Sequence, residues 1–200
     1  MTTDAPIVRT GDTGEPTNNE GNFAKRKLND AVLTTPLIRE PETVSHEDGS
    51  TMFTEFDAAG KPNLIRGYDV YEDGEQVLGS ETHLLDGERH DLDANTPALR
   101  SWKDGELRME MRCRHGEMQD GASGEPAFRA FKGGREELHI HYAGGKVQDP
   151  APKVPAHVAT LANGMTRSTF YTQGVVTEQQ DRFPTTLGGI GAITLTRTAE

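Results

Sequence analysis

The chain has 200 residues, 33% of them hydrophobic and 22 of them glycine, and its 21 Lys and Arg against 32 Asp and Glu give a formal net charge of −11. That length suits one domain with a real core, and a glycine-rich, modestly apolar composition suits many short strands and turns. The charge excludes nucleic acid and an anionic membrane face, which are held by summed positive potential, and favours a basic protein partner.

In chain order, residues 1–49 form a regime of their own, with Pro6, Pro16, Pro36 and Pro41, several glycines and scarcely any apolar periodicity. The expectation is an extended polar arm that does not fold alone. Within it, Phe23, Leu28, Ala31 and Val32 are spaced for one short helical face. No apolar run approaches the roughly 18 residues of a membrane span. Met1-Thr2-Thr3-Asp4 opens neither the basic nor the apolar region of a signal peptide. The chain is therefore expected to be soluble, either cytoplasmic or part of a large particle. A lone cysteine, Cys113, excludes an intrachain disulfide.

From Ser50 the pattern changes to short alternating runs broken by Gly and Asp. Strands are predicted over 51–56, 64–71 and 76–85, with turns at Ala59-Gly60-Lys61-Pro62, Asp73-Gly74 and Asp86-Gly87. The chain then repeats itself with a period of twenty-nine. Gly87-Glu88-Arg89-His90-Asp91 returns as Gly116-Glu117-Met118-Gln119-Asp120, and at the same interval again as Gly145-Lys146-Val147-Gln148-Asp149. Likewise Pro97-Ala98-Leu99-Arg100-Ser101-Trp102-Lys103-Asp104-Gly105 returns one period later as Pro126-Ala127-Phe128-Arg129-Ala130-Phe131-Lys132-Gly133-Gly134. A fixed period of this length marks a repeated supersecondary unit that shares one core with its neighbours.

Each unit reads as one hairpin plus a loop. Strands are expected over 98–103 and 107–114, where Met109, Met111 and Cys113 alternate with Arg108, Glu110, Arg112 and Arg114. The second unit sets Leu138, Ile140 and Tyr142 against Glu137, His139 and His141. Met109, Met111, Leu138, Ile140 and Tyr142 are expected in the core, with Arg108, Arg112 and Glu137 in solvent. Gly105 and Gly134 are expected at equivalent turn positions with positive φ. The third unit, 154–171 around Asn163-Gly164, is degenerate, and 192–197 supplies a closing strand. The fold class is thus all-β, an array of antiparallel hairpin repeats over 50–186, with an arm at 1–49 and a capping strand and tail at 187–200.

The phrasing Trp102-Lys103-Asp104-Gly105-Glu106-Leu107, followed by Met109-Glu110-Met111-Arg112-Cys113-Arg114-His115-Gly116-Glu117, resembles MORN-like repeats. There too an aromatic, an Asp-Gly or Asn-Gly turn, a charged strand and a glycine turn recur. The resemblance implies a hairpin array that serves as a binding platform of the antitoxin-like or interaction-module kind, with no catalytic residues.

Chemistry-bearing residues are few. His139 and His141 share a strand face, about 7 Å apart by strand geometry, yet no third ligand or paired Cys/His motif accompanies them. A solvated polar face is the expectation, with no metal and no cofactor. Asp91-Leu92-Asp93-Ala94-Asn95 opens like a calcium loop, but Thr96 stands where the loop needs Gly and Trp102 where it needs Glu, so a capped turn is expected. Cys113 falls on the apolar face, as a buried thiol rather than a nucleophile. No nucleophile elbow or phosphate-cradling loop is present in the sequence.

The expected function is therefore non-enzymatic protein–protein interaction, as a structural or assembly subunit of a virion or other large particle. The alternative is an acidic antitoxin-like or immunity-like module that neutralises a protein effector. The arm is expected to contact neighbouring chains, copies of itself or another subunit, through Phe23, Leu28, Val32, Leu33, Leu37 and Ile38. Lys25, Arg26 and Lys27 are expected to meet an acidic surface.

Overall fold

The computed structural model describes residues 39–184 and 194–198. Among these the alternating runs give seventeen strands and no helix, and hence no helix long and apolar enough to cross a membrane. The first four strands are β1 (Glu42–Ser45), β2 (Thr51–Phe56), β3 (Pro62–Val70) and β4 (Gln76–Leu85), and β4 ends in a small pair with β5 (Glu88–Arg89). The first repeat unit lays down β6 (Leu99–Lys103) and β7 (Glu106–Met111), then the short pair β8 (Cys113–Arg114) and β9 (Glu117–Met118). The second unit has β10 (Phe128–Lys132) and β11 (Arg135–Ile140), then β12 (Tyr142–Ala143) and β13 (Lys146–Val147). The chain continues with β14 (His157–Thr160), β15 (Thr166–Thr172), β16 (Val175–Arg182) and β17 (Thr194–Thr198). The sheet thus begins at Glu42, inside the stretch read from sequence as arm.

The main sheet is an antiparallel meander in the order β1-β2-β3-β4-β6-β7-β10-β11-β14-β15-β16-β17, with β5 beside β4. Chain order and spatial order coincide, and the connections from β1 to β16 are tight turns or local loops. In the β6–β7 turn Asp104 and Gly105 have φ of 54° and 74°, and in the β10–β11 turn Gly133 and Gly134 have 55° and 72°. Two successive left-handed residues are the signature of a type I′ hairpin, whose twist matches the strands, so the two units do share one turn. Gly105→Ala is expected to cost about 1 to 2 kcal/mol, the penalty of a Cβ in the left-handed region, while Gly133→Asn is nearly neutral. Urea midpoints of the two variants check this, and equal midpoints would refute the turn assignment.

The units contain more than one hairpin each. Residue 112 interrupts the predicted strand 107–114, and beyond it Cys113 and Arg114 pair with Met118 and Glu117. These short pairs form a second column along the sheet. Gly116 N donates to Arg89 O at 2.9 Å, Gly145 N to Met118 O at 3.2 Å and Gly174 N to Val147 O at 3.0 Å, so one hydrogen bond in each unit ties the column together. Sheet and column meet along a corner lined by His83, Arg112, His141 and Phe170, each one period beyond the last. All four are buried, and Pro97, Ala98, Ala127 and Ala156 are fully buried beside them.

That corner overturns part of the expected burial. Arg112 is only 8% exposed, not in solvent, and His141 is only 7% exposed rather than part of a solvated face. Strand alternation assigns faces correctly but does not say which face the loops cover. Here the loops lie over the polar face at the corner. Met109, Met111, Leu138, Ile140 and Tyr142 are half-buried rather than core, since sheet neighbours shield a side chain only from its flanks. Arg108 is half-buried too, at a bulge in β7, whereas Glu137, at the matching bulge in β11, is exposed and Cys113 is buried.

Candidate functional site

A carboxylate stands at the head of every unit's loop. Asp91 Oδ1 accepts from Ala98 N at 2.8 Å and from Cys113 N at 2.9 Å. Asp120 Oδ1 accepts from Ala127 N at 2.9 Å and from Tyr142 N at 2.8 Å. Asp149 Oδ1 accepts from Ala156 N and from Tyr171 N, both at 2.8 Å. The partners lie seven and twenty-two residues on in all three units, although the third looks degenerate in sequence. Each carboxylate fastens the start of one strand to the point where the next strand leaves the main sheet. There the ladder would otherwise leave two main-chain donors unmet.

The second carboxylate oxygen distinguishes the units. Asp91 Oδ2 meets Arg112 Nη1 at 3.2 Å, Asp120 Oδ2 meets His141 Nδ1 at 2.7 Å, and Phe170 stands at the equivalent place in the third unit. The Arg112 side chain also lies against Gly121, where an added Cβ would meet Arg112 and the Glu125 carboxylate. A side chain at 121 would have to displace the Glu125 carboxylate and crowd Arg112. The Glu125 pKa is lowered by a hydrogen bond from its own amide and by the Arg112 charge, although burial opposes it.

Three loops therefore project in a row beside the corner, at 91–96, 120–125 and 149–154. Leu92 N donates to Thr96 O and Gly121 N to Glu125 O, which closes the first two. Asp93 Oδ1 accepts from Asn95 N at 2.7 Å and Thr96 N at 2.8 Å, so the calcium-like spelling is a capped turn, as expected. Those bonds hold the Asp93 pKa below the usual carboxylate range. A recess of about 210 Å³ opens between the first two loops, lined by Asp93, Arg114 and Gln119 among others. Loops held on a rigid frame at a repeated interval are suited to binding an extended partner.

Below the corner the same sheet face carries a ladder of alternating charge. Arg66, Glu81, Arg100, Glu110, Arg129 and His139 occupy one cross-strand row. Arg66 Nε meets Glu81 Oε2 at 2.9 Å, Arg100 Nε meets Glu110 Oε1 at 3.1 Å, and Arg129 bridges Glu110 at 3.3 Å and Glu136 at 2.7 Å. His139 Nδ1 completes the run at 2.6 Å from Glu136 Oε1. Burial disfavours the charged forms of Glu81 and Glu136, yet hydrogen bonds from Arg66 and His83, and from His139 and Arg129, leave both pKa values lowered. His139 and His141 have their rings 5.5 Å apart and their Nδ1 atoms on Glu136 and Asp120. Burial raises the pKa of the Cys113 thiol, and Asp91 adds to the rise.

The arm residues singled out from sequence, Phe23, Lys25, Arg26, Lys27, Leu28, Val32, Leu33, Leu37 and Ile38, lie outside the described residues. The carboxylate fastening was missed by sequence reasoning. Its signal was Asp91, Asp120 and Asp149 recurring with Pro97, Pro126 and Pro155 six residues on. Comparison of the chain with protein-family models, with curated proteins and with solved structures finds no match.

Proposed function

We propose that the protein is a non-enzymatic interaction module, a structural or assembly subunit of a virion or other large particle, whose MORN-like hairpin array presents loops while its arm contacts neighbouring chains. The observation that carries this reading is the use of the polar groups at the corner. Asp91, Asp120, Asp149, Arg112 and His141 direct their hydrogen bonds to holding the units in register, and what remains free is a row of surface loops on a rigid frame. A net charge of −11 favours a basic protein surface as the partner. The same acidity supports the second reading, a module that neutralises a basic effector.

The test is a chain shortened to begin at Arg39, which keeps every described strand. It is expected to retain β circular dichroism but to stay out of the large complex that the full chain enters in native extract, as seen by size exclusion with light scattering. Equal incorporation of the two chains would remove the arm from the reading and leave the loops at 91–96 and 121–125 as the binding surface.

A further inference from the structure

One face of the main sheet is apolar and open. Antiparallel partners project their side chains to the same side, so the register places Ile65, Thr82, Leu99, Met111, Phe128 and Ile140 in one row across β3, β4, β6, β7, β10 and β11. The next row on that face runs through Gly67, Ser80, Ser101, Met109, Ala130 and Leu138. It continues the other way to Met52 and Val44, which are 38% and 47% exposed. From β3 to β11 no side chain in either row is charged. The corner loops lie over the opposite face, and among the described residues each strand packs closely only on its hydrogen-bonded neighbours. The rows are therefore shielded at their flanks and open above.

The face has a pitch. Leu99 and Phe128, Met111 and Ile140, and Met109 and Leu138 stand one period apart in sequence and two strands apart in the sheet, or about 10 Å. A surface ridged at that interval interdigitates with another of the same interval, and a second copy carries it. Charge points the same way. The net charge of −11 and the carboxylates on the loops set copies against each other, and on the opposite face a partner would strip water from the Arg and Glu of the ladder. The apolar face has no such penalty. Where it continues past β11, Arg167 and Asp181 neutralise each other at 2.7 Å, and burial lowers the His157 pKa so that the imidazole is uncharged at neutral pH. Exposed Lys103 and Lys132 mark a polar margin at the turn end. From β1 to β14, nine strands at about 4.8 Å each and two rows wide, the face spans roughly 600 Å² in projection, comparable with the about 800 Å² that one partner gives a standard interface.

We propose that this face packs on the same face of a second copy, as two sheets about 10 Å apart related by a two-fold axis, with Met109, Met111, Phe128 and Leu138 in the middle of the seam. The inference goes beyond the assembly reading and makes no use of the arm.

Sedimentation equilibrium of the full chain, read beside hydrogen peroxide footprinting of its methionines, tests it. Wild type is expected to be a dimer in which Met109 and Met111 oxidise about fivefold or more slowly than after dilution below the dissociation constant, because oxidation follows exposure. Met118, on the column, is expected to oxidise alike at both concentrations. Phe128→Lys is expected to weaken the dimer by about tenfold or more, and Glu117→Lys, an exposed change on the column, to leave it unaltered. If Phe128→Lys loses its β circular dichroism, the footprint of wild type decides alone. A monomeric wild type, or a folded Phe128→Lys that dimerises like wild type, overturns the proposal. So does slow oxidation of Met109 and Met111 that is the same at every concentration, which would mean that the chain covers its own face. Methionines that stay reactive in a chain that still enters the large complex of native extract sink this contact and leave the assembly reading standing. A dimer through this face that joins no larger complex does the reverse.

Discussion

Asp120→Ala is expected to lower the unfolding free energy by about 3 to 5 kcal/mol, one of the largest effects available to a single side chain here. The carboxylate accepts from Ala127 N, Tyr142 N and His141 Nδ1, and its removal leaves two main-chain donors and a buried imidazole without their acceptor. Asp149→Ala is expected to cost less, about 2 to 3 kcal/mol, because its two amides are the same but Phe170 stands where His141 does. Asp93→Ala, at an exposed capped turn, serves as control. Urea unfolding of the three variants ranks them. If Asp120→Ala falls within about 0.5 kcal/mol of wild type, the range of an ordinary surface change, the carboxylates do not hold the units together.

Arg112→Met is expected to cost about 3 to 5 kcal/mol at neutral pH, since it keeps the volume but leaves Asp91 Oδ2 at the corner without its cation. Its pH dependence differs from that of wild type. Glu125 has a lowered pKa in the folded protein, with Arg112 as one cause. The stabilisation it contributes is present above its unfolded pKa and lost as pH falls through the folded one. Without Arg112 that contribution shrinks, so the gap between variant and wild type should narrow as the solution is acidified from neutrality toward pH 4. Thermal melts across that range measure it. A gap that stays constant or widens would show that the guanidinium acts by packing alone.

The strands were largely legible because two local signals agreed. Period-2 alternation set the runs 51–56 and 76–85, and Ala59-Gly60-Lys61-Pro62 and Asp73-Gly74 marked the turns between them, so β2 and β4 have the predicted bounds. What alternation could not supply was the third dimension. Arg112 reads as a solvent residue because its neighbours Met111 and Cys113 are apolar, but its own face is the one the loops cover. The carboxylate fastening is hard to read for a different reason. Its acceptors bond to main-chain amides, so the partner residues Cys113, Tyr142 and Tyr171 share no side-chain chemistry that would flag them. The third unit looked degenerate for the same reason, since its side chains have drifted while Asp149 and the backbone it holds have not.

A joint whose shared bonds, those of Oδ1, all go to the main chain has a consequence for how such a protein can change length. Insertion or loss of one whole period between one loop aspartate and the next carries a complete clasp with it, and the new neighbours need match only in backbone geometry. The side chains on the outward loops are then free to diversify without renegotiating the frame. Reach along a partner becomes a matter of how many modules are strung together, adjustable in steps of two strands, or about 10 Å.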